Sequence, residues 1–294
     1  MQEDVAQEVA RWTVGEVRIT QVVEMTSTIP PGFLFESVTP ADVQAHGWLR
    51  PCHADAAGHL RSSIHCFIVE SRGRRIVVDT CVGDDKERRI AGWHRKQSRF
   101  LADLAAAGFP PDTIDTVLCT HLHVDHVGWN TRWDGGRWVP TFPHARHLFG
   151  QTEFAFWAAQ HDEESRQILA DSVQPIVDAG RHVLVGSHHA LTEEVRLGPT
   201  PGHTPGHVSV FIRSGGQEAV ITGDLLHHPI QCARPALCSH FDHDPALSRR
   251  TRLAFLQQAF ERGALVLGTH FARPSAGWLA RDGAAWTLRA HRDA

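Results

Sequence analysis

The sequence predicts an α/β domain in which mixed strands are layered with helices, and three observations predict it. Short apolar runs of strand length alternate with segments of helical spacing, no repeat or long Gly/Pro/Ser linker divides the chain, and imidazoles and carboxylates recur just after the strand-like runs. A single domain over residues 1–294 is therefore expected. Residues 14–23 alternate as a strand does. The stretch 26–53 holds several Pro and Gly with Phe33, Phe35 and Trp48 between them, and reads as an N-terminal arm or lid outside the core. The apolar runs 64–69 and 76–78, separated by Ser71-Arg72-Gly73-Arg74, read as a hairpin whose second strand ends at Asp79. A helix follows, because Phe100, Leu101, Leu104 and Ala107 share a face; Gly108, Pro110 and Pro111 stop it. Residues 116–119 form a short buried strand running into His121. Residues 151–179 read as helical with Pro175 as an interruption, 195–197, 208–212 and 219–222 as strands, 245–261 as a helix with Pro in its first turn, and 265–267 as a strand before a last strand pair.

Composition narrows the function. Lys and Arg total 29 against 33 Asp and Glu, a net charge of −4, which argues against nucleic acid or an anionic membrane as partner through a bulk positive field. No apolar stretch approaches the roughly 18 residues of a membrane helix, and the start MQEDVAQEVARW lacks the basic and apolar regions of a secretory signal, so a cytoplasmic location is expected. The six cysteines form no C-x-x-C pair and read as buried thiols, Cys119 included. With no Tyr in the chain, no phenol can serve as acid or oxyanion donor.

The informative segment is Thr120-His121-Leu122-His123-Val124-Asp125-His126 at the end of a buried strand. Three imidazoles and a carboxylate in six residues suit borderline-soft divalent metals, and strand alternation is expected to point His121 and His123 the same way. The chain is rich in His, and isolated ones such as His46, His59 and His94 read as surface or hydrogen-bonded residues. Four further features follow strand-like runs or sit in Gly/Pro turns: Gly202-His203-Thr204-Pro205-Gly206-His207, Gly223-Asp224, His227-His228 and Gly268-Thr269-His270.

On these residues the chain resembles the metallo-β-lactamase superfamily. The H-x-H-x-D-H motif matches His121, His123, Asp125 and His126; the third-motif His is matched to His207, the bridging carboxylate to Asp224 and the last His to His270. Asp79 matches a position that supports the ligands from behind. The resemblance implies an αββα sandwich, two central mixed sheets flanked by helices, with two divalent metal ions, expected to be Zn2+. One would be held by His121, His123 and His207, the other by Asp125, His126 and His270, with Asp224 bridging. His203 is taken as structural. The segment after Asp224 and the residues His240-Phe241-Asp242-His243-Asp244-Pro245 look like the branch of methyl parathion hydrolase and its lactonase and esterase relatives.

The resemblance therefore implies hydrolysis of a lactone or carboxylic ester by a metal-bridging hydroxide, with promiscuous phosphotriesterase activity as a side reaction. No G-x-S-x-G elbow offers a competing nucleophile. His227, three residues after Asp224, is expected to be catalytic, donating to the substrate carbonyl or to the leaving alkoxide, and Asp125 to move protons besides binding metal. Trp129, Trp133, Phe33 and Phe271 are expected to line the pocket for a small, neutral, hydrophobic substrate, and a homodimer is among the expectations. The alternatives are a one-iron persulfide dioxygenase-like oxidoreductase and a β-lactam or thioester hydrolase.

Overall fold

The computed structural model describes residues 9–291. It folds as two compact units, one made of the chain through Glu24 with Ile64–Val185, the other of Met25–Ser63 with the chain from Gly186 onward. Each unit is built on one mixed sheet. Among the described residues, no helix is long and apolar enough to cross a membrane.

The first sheet contains β1 (Ala10–Val14), β2 (Val17–Ile29), β3 (Leu60–Ser71), β4 (Arg74–Val78), β5 (Thr116–Leu118), β8 (Arg146–Gly150) and β9 (His182–Val185), in the order β1-β2-β3-β4-β5-β8-β9. The pair β6 (Thr131–Asp134) and β7 (Arg137–Pro140) forms a separate ribbon. From β4 to β9 the pairing is parallel. The interior strand β5, Thr116 with two apolar residues, is correspondingly buried at every position. The β3–β4 hairpin turns on two residues, Arg72 and Gly73, both at positive φ (52° and 75°), as the twist of a tight hairpin demands.

The helix Phe100–Ala106 buries Phe100 and Leu104, as its spacing predicts. The expected helical run 151–179 is instead broken before Pro175. Asp162 accepts from the Ser165 N–H at 2.9 Å and caps a fresh start, and the five residues Leu169–Val173 form a π turn leading into Gln174–Asp178.

That π turn supplies Asp171, which is gripped by Arg88 through two hydrogen bonds of 2.7 and 2.9 Å. Lys86, fully buried, donates to Thr131 Oγ1 (2.8 Å) and to the Asp171 carbonyl (3.1 Å), with its ammonium 3.6 Å from the Trp138 ring centre. Burial pulls the Lys86 pKa down to about 7 despite the opposing pull of Asp171. Between pH 7 and the ordinary lysine range the unfolded chain binds the proton and the folded one does not, so stability rises with pH over that window. Lys86→Met is expected to remove this rise while Arg88 keeps Asp171 paired. Urea unfolding of parent and variant at pH 6.5, 8 and 9.5 checks it.

The second sheet runs in the order β10 (Val195–Pro199), β11 (Val208–Ser214), β12 (Gln217–Ile221), β13 (Leu265–Leu267), β14 (Ala276–Asp282), β15 (Ala285–Arg289). Only β12 and β13 pair in parallel. The 18-residue helix Pro245–Arg262 starts on an Asp244 cap and ends at Gly263 in the left-handed conformation. Its buried stripe, Arg252, Phe255, Leu256 and Ala259, faces a core of Val220, Leu226, Val266, Leu279 and Trp286.

The stretch 26–53 reads as an arm outside the core, and here the structure differs. Leu34, Phe35, Val38, Val43 and Leu49 are buried with Ala54, Leu60, Ile230 and Leu237 in an apolar cluster of their own. Its only α-helix, Pro40–Gln44, is five residues long, too short for periodicity to reveal it.

Candidate metal centre

In both units the chemistry-bearing residues sit just past the C-terminal ends of adjacent parallel strands, where successive loops meet outside the sheet. In the first unit these strands are β4 and β5, and in the second β12 and β13.

In the first unit, Asp79 follows β4 in a left-handed conformation (φ 58°). Its Oδ1 accepts from the Thr120 N–H at 2.7 Å, and its Oδ2 accepts from Thr120 Oγ1 at 2.9 Å and from His126 Nδ1 at 2.9 Å. A carboxylate can only accept, so the His126 proton lies on Nδ1 and the ring's lone pair on Nε2. Thr120 has spent its hydroxyl proton on Asp79 and accepts from His121 Nδ1 (3.1 Å), which leaves the His121 lone pair on Nε2. That nitrogen lies 2.9 Å from His123 Nδ1. β5 ends at Leu118, so a turn, not strand alternation, brings the two rings together. The buried Glu153 holds this turn by accepting from the Leu122 N–H (3.1 Å) and from Trp157 Nε1 (2.6 Å), while Trp157 meets the His123 ring edge-on at 5.2 Å. Asp125 is partly exposed, as is His123, with Oδ1 3.7 Å from His126 Nε2. Gly128 lets the loop close, since a Cβ there would lie 1.9 Å from the Val82 carbonyl oxygen.

In the second unit, Asp224 is the hub. Its Oδ1 lies 3.1 Å from His270 Nε2, and its Oδ2 lies 3.4 Å from His203 Nε2 and 3.3 Å from His227 Nε2. His270 donates through Nδ1 to the Ser63 carbonyl (3.2 Å), and His203 through Nδ1 to Asp242 Oδ1 (3.1 Å). In both rings the bare Nε2 therefore faces a carboxylate oxygen. Two acceptors are opposed at hydrogen-bond distance, an arrangement that a divalent cation bound to nitrogen and oxygen reconciles. The donor set thus fits a divalent metal. His203, His227 and Asp242 also lie together within this unit, with ligand atoms within 4.8 Å of one another. Burial pushes Asp242 up, but the His203 hydrogen bond and the nearby Arg252 guanidinium act against it, and the pKa lies at about 2.

His207 is not placed to bind metal, which corrects the sequence-based assignment. Its Nδ1 donates to the Thr200 carbonyl (3.0 Å) and its Nε2 accepts from the Asp224 N–H (2.9 Å), so both ring nitrogens are consumed. His207 stands directly before β11, whereas His203 sits in the turn, beside a Gly202 whose Cβ would lie 2.3 Å from the Ser248 nitrogen. The second imidazole of the motif mounts the backbone of Asp224; the first offers the ligand nitrogen.

His227 is buried, its ring parallel to His270 (6.1 Å, 7°), and its nitrogens make no hydrogen bond, the 3.3 Å approach to Asp224 lacking the geometry of one. Of the aromatics expected in a pocket, Phe33 and Trp133 are exposed, at 43% and 48%. Trp129 and Phe271 are core residues. Trp129 stacks on Phe100 at 5.6 Å and donates to Glu24, and Phe271 fills the space where Gly268 has no Cβ. Sequence reasoning missed Glu153, Asp242 and Arg252, whose contacts lie far away in sequence.

Comparison with known proteins agrees with this arrangement. A family model for the metallo-beta-lactamase superfamily matches residues 60–270, from the start of β3 through His270. The chain is 26% identical over 207 residues to an N-acyl homoserine lactonase of Bacillus thuringiensis, spanning 66% of this chain and 76% of that one. Among solved structures, the hydrolase AbOPH, of the beta lactamase superfamily, superposes with a TM-score of 0.78 at 25% identity, covering 97% of this chain and 98% of its own. AidC, a dizinc quorum-quenching lactonase, superposes with a TM-score of 0.79 at 20% identity over the same shares, a likeness of fold. Ligand-bearing loops at the ends of paired parallel strands, in two mixed sheets, are thus the form this fold takes here, and the chain belongs to the metallo-beta-lactamase superfamily as one of its hydrolases.

Proposed function

We propose that the protein hydrolyses lactones or carboxylic esters using two divalent metal ions, zinc in the first instance. By the family's ligand pattern, corrected at one position, His121, His123 and His203 serve one ion, Asp125, His126 and His270 the other, and Asp224 both. The observation that carries this reading is the Asp224 carboxylate facing the bare Nε2 atoms of His203 and His270 at 3.4 and 3.1 Å. When bound, two such ions supply a nucleophilic water at neutral pH and a Lewis acid for the acyl oxygen. The residues of the chain do the rest. Asp79, Asp242 and the Ser63 carbonyl fix the tautomers of His126, His203 and His270, so no reorganisation is needed when the ligands engage. His227, its ring nitrogens unspent, donates a proton to the carbonyl or to the leaving alkoxide. Asp125, partly exposed, passes a proton to solvent. Similarity to an N-acyl homoserine lactonase favours a neutral lactone with an apolar arm, and the resemblance of the segment after Asp224 to methyl parathion hydrolase keeps aryl phosphotriesters on the test panel as a side activity.

The test is a plate of acyl-homoserine and γ-lactones, p-nitrophenyl esters, a β-lactam and an aryl phosphotriester with the zinc-loaded protein. Preference for a lactone or carboxyl ester, abolished by chelator, is expected, as is a fall in kcat of roughly 10²-fold for His227→Ala. All substrates staying at the uncatalysed rate, with iron-dependent oxygen uptake instead, overturns the hydrolytic reading. A His227→Ala rate within about threefold of the parent removes only its catalytic role.

A further inference from the structure

Arg252 is fully buried in the middle of the helix Pro245–Arg262, and its hydrogen bonds go to loops and to its own helix, not to the strands of the sheet. Its Nε donates to the Leu225 carbonyl (2.9 Å), next to Asp224 in sequence. Its Nη1 donates to the carbonyls of Pro235 (3.1 Å) and Leu237, and its Nη2 to Ser248 Oγ (2.8 Å) and, at 3.5 Å, to Asp242 Oδ2. Asp242 Oδ2 also accepts from the Ser239 N–H (3.0 Å), while Oδ1 takes the Nδ1 proton of His203. The His243 N–H donates to the His203 carbonyl at 2.9 Å, so the loop that carries Asp242 holds His203 by backbone and side chain together. One guanidinium thus braces the segment of Asp224 and, through Asp242, the ring of His203.

We propose that Asp242, locked by Arg252, is a positioning residue that fixes His203 as a metal ligand and sets the affinity of the one metal position that His203 serves. The proposal rests on the metal reading above. A carboxylate behind an imidazole raises its basicity and holds its ring on target. Asp79 does this for His126, and its other partners are the neutral Thr120 N–H and hydroxyl. Asp242 shares its charge with Arg252, so the two backing carboxylates are unequal: Asp242 gives up part of its pull in return for rigidity. His270 Nδ1 is held by the Ser63 carbonyl. By the family pairing, Asp242 and Asp79 stand behind ligands of different metal positions, so the two positions answer to different mutations.

The experiment is competition for Zn2+ between the full-length protein and a chromogenic chelator, with the visible spectrum of the Co2+-loaded protein read alongside. The parent is expected to hold two ions. Asp242→Asn is expected to weaken one of them by 10–100-fold, leave the other unchanged and alter the cobalt bands. Asp242→Asn combined with Arg252→Met removes the buried charge pair as a unit and protects the fold if the single variant unfolds. It is expected to show the same selective loss, with a metal-free melting temperature near the parent's. Folded variants that hold both ions as tightly as the parent, with unchanged cobalt bands, overturn the proposal alone. A parent that takes up no metal overturns the metal reading and the proposal with it.

Discussion

Replacing His203 by Ala is expected to cost the protein one metal ion and about three orders of magnitude in kcat/KM on its best lactone or ester, roughly 4 kcal/mol of barrier. His207→Gln is expected to keep both ions. The two histidines are four residues apart in one Gly/Pro turn, and their ring nitrogens separate them. His203 spends Nδ1 on Asp242 and keeps Nε2 for Asp224's side of the site. His207 spends Nδ1 on the Thr200 carbonyl and Nε2 on the Asp224 N–H. A glutamine amide can reproduce both of the latter bonds, one as donor and one as acceptor, so that variant should lose only about 1 kcal/mol of stability. Metal analysis and kinetics on the two proteins side by side decide the matter. If His207→Gln emptied a metal position and His203→Ala did not, the assignment would revert to the one that the resemblance implied.

Acid is expected to unfold the metal-free protein steeply between pH 6 and 4. Burial lowers His53 to about 4, and His147 and His228 to about 3. In the unfolded chain each of these takes up a proton near pH 6.5, while the folded protein keeps it neutral. Below 6.5 the unfolded state therefore binds more protons, and stability falls as pH falls, until each folded-state value is reached. Each group contributes up to about 1.4 kcal/mol per pH unit, and three together rival a typical total stability of roughly 5–15 kcal/mol within a few units. His147 offers the clean test, since neither of its ring nitrogens has a hydrogen-bond partner among the described residues. His147→Leu should flatten the slope by about a third and move the acid midpoint downward, read by urea unfolding from pH 7 to 4 in the presence of chelator. An unchanged slope would mean that His147 is already protonated in the folded state.

What the sequence made legible follows from the physics of each element. The inner parallel strands were readable because strands buried on both faces are continuous apolar runs, and the ends of β4, β5, β12 and β13 therefore located Asp79, His121, Asp224 and His270. The helix Pro245–Arg262 announced itself by the Pro in its first turn. Residues 26–53 were misread because turn-forming residues hid apolar side chains that pack one at a time. His203 and His207 could not be separated by spacing, because the choice depends on which ring nitrogens the fold consumes. Asp242 stands in a segment that the resemblance picks out but that gives it no role, and Glu153 has no local signal: one lies in a loop, the other on a helix, and each acts on a residue about 30 to 40 positions away.

The cluster that buries Leu34, Phe35, Val38, Val43 and Leu49 is completed by Ile230 and Leu237. On the ribosome those first side chains emerge about 190 residues before their partners, roughly 10–40 s earlier at ordinary elongation speeds of ~5–20 residues per second. For that interval a greasy segment of the nascent polypeptide has no home, and it is there that a chaperone would find its grip and that slow translation would do the most harm.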